Sequence, residues 1–174
     1  MKTHVLKLRK LRACEEAVEF AEQFNSIEET LENTERGDWI LWLAQRVGVN
    51  KRKLTLAKAL CAETVIHLMT DERSKKAVKI AKKYGKSEAT EEELSTAAYA
   101  ADAAYAAADA AAYAAYAAYA ADAAADAAAY AAYAAYAADA AADAAYAEKD
   151  NQKKTAKISK EILFEEIVEK FNEL

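Results

Sequence analysis

Residues 97–147 read AAYAADAAYAAADAAAYAAYAAYAADAAADAAAYAAYAAYAADAAADAAYA, a run built from 36 Ala, 9 Tyr and 6 Asp. Alanine has the highest intrinsic helix propensity, and neither Gly nor Pro interrupts the run, so the backbone is expected to be helical throughout. That expectation sets the fold class: all-α, a helical bundle with a long Ala/Tyr/Asp-rich region. The aspartates recur too often for a membrane-spanning stretch. The run holds no nucleophile with a base, no metal-ligand cluster and no phosphate loop, so its chemistry is that of a surface and not of a catalytic centre.

The run repeats. Tyr113, Tyr116, Tyr119, Asp122 and Asp126 recur 17 residues later as Tyr130, Tyr133, Tyr136, Asp139 and Asp143. Five marks in 17 residues give a period of about 3.4, so on a straight helix the stripe drifts by about 100° per repeat. A single rod of this run would be about 75 Å long, against a radius of gyration near 16 Å for a domain of this length. A helix hairpin is therefore expected, breaking at Asp122–Asp126, where an Asp can cap the second helix. Ala faces let axes approach closely, leaving Tyr and Asp two roles. Either Tyr closes the seams between helices, or the ten repeated Tyr and Asp positions form a partner-binding face.

Outward from the run, residues 1–95 read as amphipathic helices and 153–174 as a closing helix, all within one domain of 174 residues. Leu8, Leu11, Val18, Ala21 and Phe24 predict one helix over Val5–Phe24. Ser26 with Glu29 is a capping box for a short helix to Leu31. Gly37 permits a turn, with Asp38 as a cap ahead of Trp39. Trp39, Ile40, Trp42 and Leu43 form an apolar patch, with both tryptophans expected as core anchors. Leu54, Ala57, Cys61, Val65 and Leu68 place a helix over Lys51–Met69, with His67 as a hydrogen-bonded histidine at its end. Asp71 caps the next helix, whose inner face is Ala77, Val78, Ile80, Ala81 and Tyr84, and Gly85 stops it at a C′ position. Its many lysines read as a solvated face. Thr90 with Glu93 forms a second capping box that launches the Ala-rich run. The polar segment from Glu148 to Lys154 is a turn or an exposed piece of helix. Ile158, Ile162, Phe164, Ile167, Val168 and Phe171 then close the core.

The net charge is −5: the Ala/Tyr/Asp run carries −6, and elsewhere 24 basic side chains stand against 23 acidic ones. An acidic helical face favours a basic protein partner over nucleic acid or an anionic membrane. Cys14 and Cys61 are too isolated for a metal site or redox motif and are expected reduced and buried. With two histidines far apart in sequence, no catalytic constellation, metal site or cofactor motif is expected, and the protein reads as a non-enzyme of the cytoplasm.

Ala13-Cys14-Glu15, Arg36-Gly37-Asp38-Trp39 with Trp42-Leu43, Cys61-Ala62 followed by His67-Leu68, Asp71, Arg73 and Glu88-Ala89-Thr90 before Glu92-Glu93-Leu94 occur in that order, followed by the Ala/Tyr run. In this order the chain resembles the bacterial and phage-borne immunity proteins of polymorphic toxin systems, over roughly its whole length. The resemblance implies an all-α, non-enzymatic protein that binds a cognate toxin and silences it by stoichiometric occlusion; it carries no catalytic residues across. The pure Ala/Tyr/Asp alphabet and the 17-residue duplication depart from that family. The alternative is a structural or self-associating helical protein, with the Tyr/Asp stripe as the interface between copies.

Overall fold

A computed structural model describes residues 2–68, 71–100 and 129–174, with the backbone alone at positions 68 and 129–148. Its elements are α1 (Thr3–Lys10), α2 (Glu15–Glu22), α3 (Ile27–Asn33), α4 (Gly37–Val47), α5 (Lys51–Glu63), a 3₁₀ turn (Ile66–Leu68), α6 (Glu72–Gly85), α7 (described over 91–100) and α8 (Ala129–Glu173). The described residues are all-α, without a strand. The expected break at Asp122–Asp126 lies outside the described residues, as do Tyr113, Tyr116 and Tyr119.

The C-terminal half of α8 is the spine of the bundle and packs against α3, α4 and α5. Ala156, Ser159, Leu163, Ile167 and Phe171 are buried, at intervals of three and four residues that keep them on one helix face. The sequence stripe includes Ile167 and Phe171; Ile158, Ile162, Phe164 and Val168 flank it half-buried, and Leu163 is fully enclosed. Residues 148–154 are continuous helix, with no turn. Val5, Leu8, Val18, Ile27, Leu31, Ile40 and Leu43 complete the core from α1 to α4.

The single helix expected over Val5–Phe24 is two. Arg12 adopts φ 65°, and the reversal that follows lets buried His4 on α1 bond through Nε2 to the carbonyl of Ala21 on α2, 3.0 Å away. The N–H of Arg12 donates to Arg9 O and that of Ala13 to Leu8 O, both at 3.0 Å, which is the Schellman pattern with arginine at C′. An L-residue there costs about 1–2 kcal/mol, so the composition gave no signal of the break. The same pattern ends α6, with Ser87 (φ 66°) at C′; Gly85, expected there, lies within the last helical turn. A Cβ on Gly85 would stand 2.8 Å from Leu56 Cα, so its role is close approach of α6 to α5.

Other caps follow the sequence. Ser26 Oγ accepts from Glu29 N–H (3.2 Å), and Glu29 answers by accepting from Asn25 N–H (2.9 Å). Asn50 caps α5, Asp71 caps α6, and Thr90 and Glu93 bond reciprocally. Helix α5 stops at Glu63, short of the expected Met69. His67 therefore sits exposed in the 3₁₀ turn and not at the end of a helix, with no hydrogen bond to its ring among the described residues. Cys61 is buried beside Ser159 (3.6 Å), and burial pushes its thiol pKa up against that bond; Cys14, expected inside, is exposed.

Glu166 of α8 fastens the α4–α5 turn. Its Oε1 accepts from Asn50 N–H at 2.7 Å, and its Oε2 lies 3.0 Å from Lys53 Nζ, with only 16% of the side chain exposed. Burial raises this carboxyl, but the bond from Asn50 and the Lys53 ammonium outweigh it, so the pKa is lowered. A depressed folded pKa contributes stability above the unfolded carboxyl value, and that contribution is lost as pH falls through the folded value. The melting-temperature gap between wild type and Glu166→Gln is therefore expected to be widest at neutral pH and to shrink on acidification below about pH 4. A gap independent of pH in thermal melts would contradict this.

Candidate functional site

Between the α1–α2 turn, α3 and α4 lies an open cleft of about 500 Å³. Its floor is apolar: Leu8, Ile27, Leu31, Ile40 and Leu43, all buried. Trp39 and Trp42 form a wall, one turn of α4 apart in register, and Arg12, Cys14, Arg36 and Asp38 line its polar parts. Helix α4 presents these residues because Gly48 (φ 77°) ends it cleanly and the buried Ile40, Leu43 and Ala44 beside them anchor it in the core.

Both tryptophans are half-buried, which corrects their expected role as core anchors. Trp42 packs an edge on the core and carries the Arg46 guanidinium 5.6 Å from its ring. Trp39 stands against Phe20, with ring centroids 5.7 Å apart, while Arg36 stacks 4.6 Å from its centroid. Asp38 is not the cap of α4. It occupies the first turn, where its charge suits the helix N-terminus, and accepts two bonds from the Arg36 guanidinium, at 2.9 Å from Nε and 2.7 Å from Nη2. This fork lowers the Asp38 pKa and raises that of Arg36. Glu16 adds a carboxylate 3.6 Å from Arg36 Nη1. Because Arg36 and Asp38 bind each other, the Arg-Gly-Asp tripeptide is closed on itself.

No family model, curated protein or solved structure matches the chain. The site thus stands on its geometry. Of the residues singled out in the sequence, Asp38, Trp39 and Trp42 meet at the cleft; His67 lies on the 3₁₀ turn and is not among the cleft's lining. Tyr130, Tyr133, Tyr136, Asp139 and Asp143 fall on the helical backbone of α8 with side chains outside the described residues; Asp122 and Asp126 lie outside them altogether. Sequence reasoning missed Arg12 and Cys14 as cleft residues, because only the reversal at Arg12 brings them opposite α4. Among the described residues, no group of three or more His, Cys, Asp or Glu side chains could hold a metal ion, and no helix is long and apolar enough to cross a membrane.

Proposed function

We propose that this protein is a stoichiometric binding protein of the immunity type, which silences a protein toxin by occluding it and performs no chemistry of its own. The observation that carries this reading is a convergence. Ala13 and Cys14, Arg36 and Asp38 with Trp39, and Trp42 with Leu43 come from the separate stretches that resemble immunity proteins, and all line one cleft. Tryptophan and arginine around an apolar, partly desolvated pocket are the side chains that most often dominate binding energy at protein interfaces. The −6 charge of the Ala/Tyr/Asp run would steer a basic toxin toward the protein, giving a salt-dependent association rate.

The test is calorimetric titration against the protein encoded by the adjacent gene. One-to-one binding is expected. Trp39→Ala should weaken it by at least about thirtyfold, or 2 kcal/mol. Because Trp39 is half-buried, its loss should lower the melting temperature by only about 2–8 °C, from roughly 1–2 kcal/mol of lost burial. Replacing Tyr130 and Tyr133 by Ala should reduce binding further if the run also touches the toxin. Absence of a complex would sink the reading, and so would catalytic turnover of the toxin. A dimer that these tyrosine substitutions convert to monomer would favour self-association instead.

A further inference from the structure

Resting on that binding role, we infer that the cleft receives one kind of feature from its protein partner, an apolar side chain with a carboxylate beside it. Arg12 is the specificity-determining residue that reads the carboxylate. A partner that is basic overall can carry such an acid next to its anchor.

Two independent features single out Arg12. Its backbone holds the left-handed conformation at the C′ position of α1, where glycine would sit without strain, so the side chain is not there to end the helix. Residues held in such conformations concentrate where the side chain is used. Among the described residues, Arg12 is also the uncommitted cation of the cleft. Arg36 is engaged by Asp38 and Glu16, and neighbouring Arg9 on α1 by Glu15 and Glu22. The lining hydroxyls are occupied too: Thr30 Oγ1 donates to Ser26 O at 2.7 Å, and Thr34 Oγ1 accepts from Arg36 N–H at 3.2 Å. The guanidinium of Arg12, which is exposed, has no hydrogen bond or ion pair among the described residues. The cleft thus offers an apolar floor, two indole walls and one free guanidinium, and charge complementarity supplies the carboxylate of the occupant. Its volume, about 500 Å³, lies in the range of pockets that enclose small organic groups.

The chain contains two tryptophans and both line this cleft, so intrinsic tryptophan fluorescence reports occupancy directly. The probes are a capped tripeptide with phenylalanine beside aspartate and the same peptide carrying asparagine instead. Wild type is expected to bind the aspartate peptide about tenfold more tightly. Arg12→Gly should erase that preference and still melt about 2–4 °C higher, because the left-handed strain is relieved. Arg12→Lys should keep part of the preference. Equal affinity for the two peptides, no binding of either, or undiminished discrimination by Arg12→Gly would overturn the inference. If the adjacent-gene product binds while the peptides are not distinguished, this inference alone fails. If the peptides are distinguished while that protein does not bind, the immunity reading fails and the carboxylate-reading cleft stands.

Discussion

Replacing Phe171 by alanine is expected to remove about 3–5 kcal/mol of stability, the range for deleting a fully enclosed aromatic side chain. Phe171 is 1% exposed and lies in the last turn of α8, continuing the stripe of Leu163 and Ile167. Lys7 of α1 locks this turn from outside: its Nζ donates to the carbonyls of Phe171 (3.0 Å) and Asn172 (3.2 Å) and stands 5.3 Å from the ring centroid. Two carbonyls at a helix end thus find a cation, and without the ring the turn that holds them loses the side chain packed beneath it. A domain of this size is stable by about 5–15 kcal/mol, so the variant should be marginal. Urea denaturation should show a lower midpoint with little change in slope. Leu174→Ala is the control: with 62% exposure it should shift stability by less than about 0.5 kcal/mol. A loss below 1 kcal/mol at Phe171 would mean that α1 and α8 do not share a core.

What could be read from the sequence was local. Helix propensity set the all-α class, and the caps at Ser26, Asp71 and Thr90 lie within three residues of the N–H groups they satisfy. The reversal at Arg12 could not be read, because its cause is tertiary: His4 reaching Ala21 and Val5 joining Val18 in the core outweigh the local cost of a left-handed arginine. Gly37 and Gly85 were visible as glycines. Their use was not, since close approach depends on Thr155 and Leu56, which lie 118 and 29 positions away in the chain.

The cleft shows the same division. Trp39 and Trp42 stand out by residue type, and their spacing places them on neighbouring turns of one helix. Periodicity marks which face is apolar but not whether that face is roofed, and here α4 buries Ile40, Leu43 and Ala44 while leaving the indoles at an edge. The cap expected at Asp38 gives way for a related reason. Its carboxylate meets the guanidinium behind as well as the N–H groups of Asp38 and Trp39, and the bidentate fork to Arg36 is the stronger bond.

Gly37→Ala should destabilise the protein by about 2–3 kcal/mol, against the propensity gain that alanine ordinarily brings inside a helix. A Cβ on Gly37 would fall 2.4 Å from Thr155 Oγ1 and 2.7 Å from both Ala156 N and Thr155 C. The hydroxyl could rotate away, but the two backbone atoms belong to the middle of α8 and cannot. Helices α4 and α8 would have to separate, and that contact also seats Ile40 and Ala44 against the core and holds the tryptophan wall in place. Two comparisons isolate the cause. Gly48→Ala meets nothing within 4 Å, so only its left-handed φ of 77° is strained, for about 1 kcal/mol. Adding Thr155→Ala to Gly37→Ala should recover less than half of the loss, because it removes the hydroxyl and leaves the backbone clash. Chemical denaturation of the single and double variants measures both terms. If Gly37→Ala matches wild type, or if Thr155→Ala rescues it fully, the α4–α8 backbones are not in contact and the bundle is less tightly closed at this crossing.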